Sequence, residues 1–179
     1  MVYIVLGTGF EEMEAVVPCD LLRRAGVEVR FVGIGGLEIT GSRGIVVKAD
    51  QTETEASWDE AEMIVLPGGL GGVASIQGSS LVMDAVRNAY ADGRWVAAIC
   101  AAPTILASLG FTDGKKACCY PGMEDEMGTA LMENVGCVRD GKIITGRAAG
   151  SAFDFGIALI EALRGKEAAL QIATEVVYS

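Results

Sequence analysis

Arg94-Trp95-Val96-Ala97-Ala98-Ile99-Cys100-Ala101-Ala102-Pro103-Thr104-Ile105-Leu106 is the stretch that decides how the chain is read. The apolar run from Trp95 to Ile99 predicts a fully buried strand. Pro103 can open a helix, since the first helical turn has N–H groups without partners and proline lacks one. Cys100 therefore falls on a sharp strand-to-helix turn, with its sulfur at a helix N-terminus. The small residues Ala101 and Ala102 suit such a turn, as in the nucleophile elbow of hydrolases. A helix N-terminus favours an anion, so the expectation is a thiol whose pKa lies below the usual value of about 8.5. A buried structural cysteine is the other reading, because free cysteine is among the most buried residue types.

Working outward, further apolar runs of strand length stand at Val2–Leu6, Val29–Val32 and Met63–Leu66. Between them lie helical patterns at 11–25, with Gly26 as its C-cap, and at 81–91. Pro18 lies inside the first helix and should kink it. Leu37 to Lys48 reads as a β excursion, and the segment 50–62 as a polar, acidic surface. Gly68 to Gly72 reads as a loop. The Asp140-Gly141 turn predicts a hairpin from strands near 135–140 and 142–145. Helices follow at 153–163 and 167–176. Alternating strands and helices with short glycine turns imply a mostly parallel sheet covered on both faces. Ligands bind such sheets outside the carboxyl ends of the strands. The 7–14 turn, the Gly68–Gly72 loop and Cys100 all fall at such ends.

The 179 residues suit one domain spanning 1–179, and 51% apolar content supplies a sizeable core. A net charge of −10 and the lack of a basic run exclude a nucleic-acid backbone as partner. The N-terminus reads as a first strand and not a signal peptide. The longest uncharged run, 95–112, is broken by Pro103 and Gly110 and is no membrane span. Five scattered cysteines point to free thiols in a reducing cytoplasm. With no histidine and no CxxC, no zinc site is expected.

Four chemistries can be weighed on these residues. A dinucleotide site would need a third glycine where Glu12 stands, and Glu11, Glu12 and Glu14 crowd the place of a pyrophosphate. The glycines at 68–72 lack the Lys-Ser/Thr of a P-loop, but their N–H groups could hold an oxyanion. A Cys–His hydrolase or amidotransferase is excluded, because the chain has no imidazole to carry the proton. The fourth is a cysteine paired with a carboxylic acid. A Glu buried beside sulfur would have its pKa raised and could shuttle protons near neutral pH. Glu14 is the candidate, although the helix phase does not separate it from Glu11 and Glu12.

Glu11-Glu12-Met13-Glu14, then Pro18-x-Asp20-x-x-Arg23-Arg24-Ala25-Gly26, Val65-Leu66-Pro67-Gly68-Gly69, Ala97-Ala98-Ile99-Cys100-Ala101-Ala102-Pro103-Thr104 and Gly165-Lys166-Glu167 resemble, in order and nearly end to end, the ThiJ/PfpI superfamily. The branch is that of the parkinsonism-associated protein deglycase and its bacterial relatives. The resemblance implies a flavodoxin-like α/β sandwich, akin to class I glutamine amidotransferases, and a homodimer. It implies Cys100 as nucleophile and oxidation-sensitive thiol, Glu14 as its protonated partner, and an oxyanion hole from the N–H groups of Gly69 and Ala101. It places Tyr120, Arg24, Arg43 and Gly68 at the pocket, with Arg24 and Arg43 also near the dimer interface. No cofactor or metal is implied.

The activity implied is glyoxalase- or deglycase-type processing of small reactive aldehydes, or of glycated protein and nucleotide groups, with protection against oxidative stress. A redox sensor or redox-regulated chaperone that carries Cys100 as a sulfinate, with little turnover, is the alternative. Two positions depart from many relatives. Tyr120 stands where they have a histidine, and Ala148-Ala149 replaces a Gly-Pro pair.

Overall fold

The computed structural model describes residues 1–178. In chain order the strands and helices are β1 (Val2–Leu6), α1 (Glu12–Arg24), β2 (Val29–Gly33), β3 (Glu38–Thr40), β4 (Val46–Lys48), β5 (Gln51–Thr52), β6 (Met63–Leu66), α2 (Leu70–Gly78), α3 (Ser80–Ala91) and β7 (Trp95–Ile99). There follow α4 (Pro103–Ser108), β8 (Lys116–Ala117), β9 (Leu131–Met132), β10 (Cys137–Asp140), β11 (Ile143–Gly146), α5 (Ala152–Arg164) and α6 (Lys166–Glu175).

The central sheet runs β10-β11-β7-β6-β1-β2-β5, and only the β10–β11 pair is antiparallel. Its residues alternate between two cores because successive side chains of a strand face opposite ways. Val2, Ile4 and Leu6 of β1, Met63 and Val65 of β6, and Trp95, Ala97 and Ile99 of β7 join one core. That core also holds Leu21 and Leu22 of α1, Phe155 and Leu159 of α5, and Ile172 of α6. Tyr3, Val5, Ile64, Leu66, Val96 and Ala98 face the other way, onto α2, α3 and α4. Full burial of one such Leu, Ile or Phe is worth about 1.5–3 kcal/mol. The result is a three-layer, flavodoxin-like sandwich.

The chain leaves β1 toward β2 on one side and later returns to β6 on the other. The crevice between β1 and β6 is thus the topological switch point, where α/β sheets bind ligands. One expectation changes here. The segment from Leu70 onward is helix α2 and not an extended loop. Helix α1 runs from Glu12 to Arg24 and carries Pro18 in its interior, buried on the face toward the sheet and α5. The G-x-G of the first turn serves packing rather than a pyrophosphate. A Cβ on Gly9 would lie 2.9 Å from Gly71 Cα, so the turn after β1 sits directly on the start of α2.

Candidate active site

Cys100 leaves β7 at φ +66°, a left-handed conformation rare for a residue with a side chain. Such a conformation costs on the order of 1–3 kcal/mol and persists only where its surroundings hold it. Here the Cys100 N–H donates to Gly146 O at 3.0 Å, and its carbonyl accepts from Tyr120 N–H at 2.7 Å. Ala101 and Ala102 are buried immediately behind it, and Pro103 is the first residue of α4. The strand-to-helix elbow is as the sequence predicts.

Glu14 reaches the same place from the first turns of α1. Glu11 caps that helix, its Oε2 accepting the Glu14 N–H at 3.0 Å. This separates the neighbouring acids that the sequence alone leaves open. Glu11 is engaged on backbone at the mouth, whereas the Glu14 side chain is 0% exposed and turned inward. Glu14 Oε2 accepts the Gly68 N–H at 2.8 Å. No N–H or O–H donor reaches the buried Oε1 among the described residues. The Cys100 thiol is the side-chain neighbour that interacts with the Glu14 carboxyl. Gly68 lies behind the pair, where a Cβ would stand 2.6 Å from both Cys100 Cβ and Glu14 Oε2. Only glycine leaves room for the two groups to meet.

The electrostatics differ from the sequence expectation. Burial, then the charge and hydrogen bond of Glu14, push the Cys100 thiol up to about 12, against the N–H groups of Gly69 and Ala101, which pull it down. Burial likewise lifts Glu14 to about 7, against hydrogen bonds from Cys100 and Gly68. The backbone dipoles at the sulfur are present, but desolvation and the facing carboxylate outweigh them. Two groups this close titrate as a pair. From about pH 7 to about pH 12 the pair retains one proton. Transfer of that proton from sulfur to Glu14 produces a thiolate beside a neutral acid without proton exchange with solvent.

Glu12 does not line the cavity over this pair but fixes the turn that brings Ser42 and Arg43 to it. Burial works against its ionisation, but hydrogen bonds from the Arg43 N–H, the Ile45 N–H and the Ser42 hydroxyl outweigh it and hold the carboxyl below its usual range. The Arg43 N–H lies 2.7 Å from Oε1 and the Ser42 hydroxyl 3.2 Å from Oε2. Glu12 thereby ties the β3–β4 turn to the start of α1. No local pattern links residue 12 to residues 42–45, so the sequence shows Glu12 only as helix-terminal charge and hides this role.

A cavity of about 830 Å³ opens over the pair, lined by Glu11, Arg43, Gly69, Leu70, Tyr120 and Ala148 among others. Cys100, Glu14, Gly69, Ala101, Tyr120 and Arg43 therefore meet in one place. Gly68 supports the cavity from behind without lining it. Arg24 is a correction. It sits in the last turn of α1, pairing with Asp20 and Glu175 at 2.8 Å each, and does not line the cavity. An (i, i+4) acid partner and the nearby end of α6 draw it away.

The chain is similar to known proteins along most of its length. The profile of the DJ-1/PfpI family matches residues 1–162. Protein dj-1beta of Drosophila melanogaster is 38% identical over 173 residues, covering 95% of this chain and 92% of that protein. Deglycase PH1704 of Pyrococcus horikoshii is 34% identical over 140 residues, covering 77% of this chain and 84% of that one. Among solved structures, oxidized DJ-1 of Toxoplasma gondii is similar with a TM-score of 0.94 at 34% identity, covering 99% of this chain and 98% of that one. With the profile matching residues 1–162 and a relative 38% identical over 95% of its length, the chain belongs to the DJ-1/PfpI family.

Proposed function

We propose that this protein is a cysteine-dependent, cofactor-free enzyme that converts reactive carbonyl compounds to hydroxy acids. The observation that carries the reading is a buried carboxyl, Glu14, set against the Cys100 thiol beneath an open cavity. With methylglyoxal, Glu14 takes the thiol proton as the sulfur adds to the aldehyde carbon. The Gly69 and Ala101 N–H groups stabilise the developing alkoxide, and Glu14 returns the proton to it, giving a hemithioacetal. Glu14 next removes the hydrogen from that carbon, passing through an enediol, and the neighbouring carbon is protonated. The product is a lactoyl thioester on Cys100. Water hydrolyses it to lactate and regenerates the thiol. A carboxyl titrating near 7 suits both halves of this transfer at neutral pH. The deglycase name of the Pyrococcus relative supports the same class of chemistry, with glycated protein or nucleotide groups as larger substrates.

The test is lactate formation from methylglyoxal by purified protein. Wild-type protein produces lactate and Cys100→Ala produces none; equal rates in the two would end the proposal. A second reading, a redox sensor or chaperone, is favoured by the oxidized state of the Toxoplasma relative. It takes over if the wild type forms no lactate but peroxide adds two oxygens to Cys100 before any other cysteine.

We also propose a reducing cytoplasmic setting, in keeping with five unpaired cysteines among the described residues. No helix is long and apolar enough to cross a membrane. The active form in this reading is a homodimer, in which a second copy covers the exposed apolar residues Met13, Val16, Ile45 and Val46. Sedimentation should then give twice the chain mass of 18.6 kDa, and a monomer at micromolar concentration would remove that part.

A further inference from the structure

The turn that follows α6 departs from what its residues would choose. Val176 closes the helix, the Val177 N–H donates to Thr174 O at 3.1 Å and the Tyr178 N–H to Ala173 O at 2.9 Å. This is a Schellman close, whose left-handed residue is usually glycine. Here that residue is Val177, at φ +56°. A β-branched residue is an outlier in this region, and the conformation costs on the order of 1–3 kcal/mol. The Val177 side chain is 89% exposed, so its own packing does not hold the turn. Tyr178 holds it. Its ring stacks on Phe153 with centroids 5.4 Å and planes 16° apart, and its hydroxyl donates to Asp154 Oδ1.

Asp154 stands in the first turn of α5, just after Ala148, Ala149 and Gly150, which line the Cys100 cavity. That stretch is tied at both ends. At one end Gly146 O accepts the Cys100 N–H at 3.0 Å, and the Arg147 N–H donates to Gly136 O at 2.9 Å. At the other the Ser151 N–H closes on Ala148 O at 2.8 Å. Gly136 joins the two ends, since a Cβ there would collide with Asp154 Oδ2 and lie 3.3 Å from Ser151 Oγ. Asp154 thus rests one oxygen against the backbone that carries Arg147 and gives the other to Tyr178. Among the described residues no Lys or Arg pairs with this carboxylate, so the charge-assisted bond from the phenol fixes its position.

We propose that Tyr178 is a positioning residue: through Asp154 it holds the 148–150 rim of the cavity, where a substrate larger than methylglyoxal must rest. The effect on substrates rests on the carbonyl-processing reading above, whereas the latch on the rim does not. A cavity of about 830 Å³ leaves methylglyoxal at the floor beside Cys100 and Glu14, and a 2-oxoaldehyde with a longer chain reaches the rim. The probe is 2-oxohexanal, which the same addition, isomerisation and hydrolysis carry to 2-hydroxyhexanoate. One water is consumed and no oxidant or reductant is needed.

The experiment has two arms, each run on the wild type, Tyr178→Phe, Asp154→Asn and Asp154→Ala. The first measures kcat and KM for methylglyoxal and 2-oxohexanal. Tyr178→Phe keeps the ring on Phe153 and removes only the hydroxyl. It should raise KM for 2-oxohexanal about fivefold, as for the loss of one hydrogen bond, and leave both kcat values and the methylglyoxal KM unchanged. Asp154→Asn still accepts from the phenol and should keep the wild-type KM. Asp154→Ala should lose it, and adding Tyr178→Phe to Asp154→Ala should cost nothing more. The second arm needs no turnover. Hydrogen exchange at amides 147–151 should quicken about fivefold in Tyr178→Phe, while the central strands exchange as in the wild type. Unchanged exchange at 147–151, faster exchange through the whole chain, or a loosened rim with both KM values unmoved would each overturn the proposal. If neither aldehyde is converted while the rim alone exchanges faster, the carbonyl-processing reading fails and the latch stands.

Discussion

Replacing Glu14 by Gln lowers the rate of lactate formation roughly 10²–10⁴-fold, the contribution of a positioned general acid–base, and at the same time raises the reactivity of Cys100 toward alkylation near pH 8. The two changes run in opposite directions for one reason. The carboxamide oxygen of the substituted side chain can still accept the Gly68 N–H that now binds Glu14 Oε2 at 2.8 Å, so the elbow keeps its support. What disappears is the negative charge facing the sulfur and the carrier of its proton. The charge and the hydrogen bond of Glu14 both help hold the thiol near 12, while the Gly69 and Ala101 N–H groups oppose them. Without the carboxylate the thiolate forms more readily, but nothing moves a proton between the two carbons of the substrate. A wild-type rate should rise with pH through about 7, where Glu14 becomes the base, and the variant should lose that limb. A Glu14→Gln protein that turns over at the wild-type rate would remove Glu14 from the chemistry. A variant slower in both turnover and alkylation would instead show that the elbow itself had been disturbed.

How far the sequence foretells this site depends on whether its determinants are local. The elbow is legible because a buried β-run, a cysteine, two alanines and a proline occur within nine residues, each acting on its neighbours. The sheet is legible for the same reason, since Val2–Leu6, Met63–Leu66 and Trp95–Ile99 are apolar throughout, as strands covered on both faces must be. Helix α2 is hidden because Leu70-Gly71-Gly72 carries two glycines in its first turn, and glycine is a poor helix former. Its glycines are retained where the turn at Gly9 packs on them. The role of Glu12 and the departure of Arg24 depend on partners 30 and 151 residues away, which no periodicity encodes. The thiol departs from expectation for a different reason. Helix-terminal dipoles can be inferred from a turn, but the depth of burial that outweighs them is a property of the packed molecule.

Stability against pH gives a second large effect at the same residue. The carboxyl of Glu14 has a pKa of about 7 in the folded protein against an ordinary value of 4.5, with burial as the leading cause. A raised carboxylate pKa means that the folded state binds more protons than the unfolded state between these values. Stability is therefore greatest below about pH 4.5 with respect to this group, and declines as pH rises toward 7. At 1.36 kcal/mol per pKa unit, an ionised Glu14 costs about 3 kcal/mol above pH 7. Gln carries no charge to desolvate. Glu14→Gln should accordingly resist urea better than the wild type at pH 8, with a midpoint higher by about 1–2 M, and should differ little at pH 4.5. Cys100 does not confuse the comparison at pH 8, because its thiol is protonated there in both states and its own contribution begins only above about 9. Reductant keeps the remaining thiols in the same state throughout. An equal shift at both pH values would attribute the gain to packing rather than charge, and a loss at pH 8 would mean that the carboxylate is solvated or paired. A slower but more stable enzyme at neutral pH is the pattern expected of a site that keeps a buried acid for proton transfer at the expense of the fold.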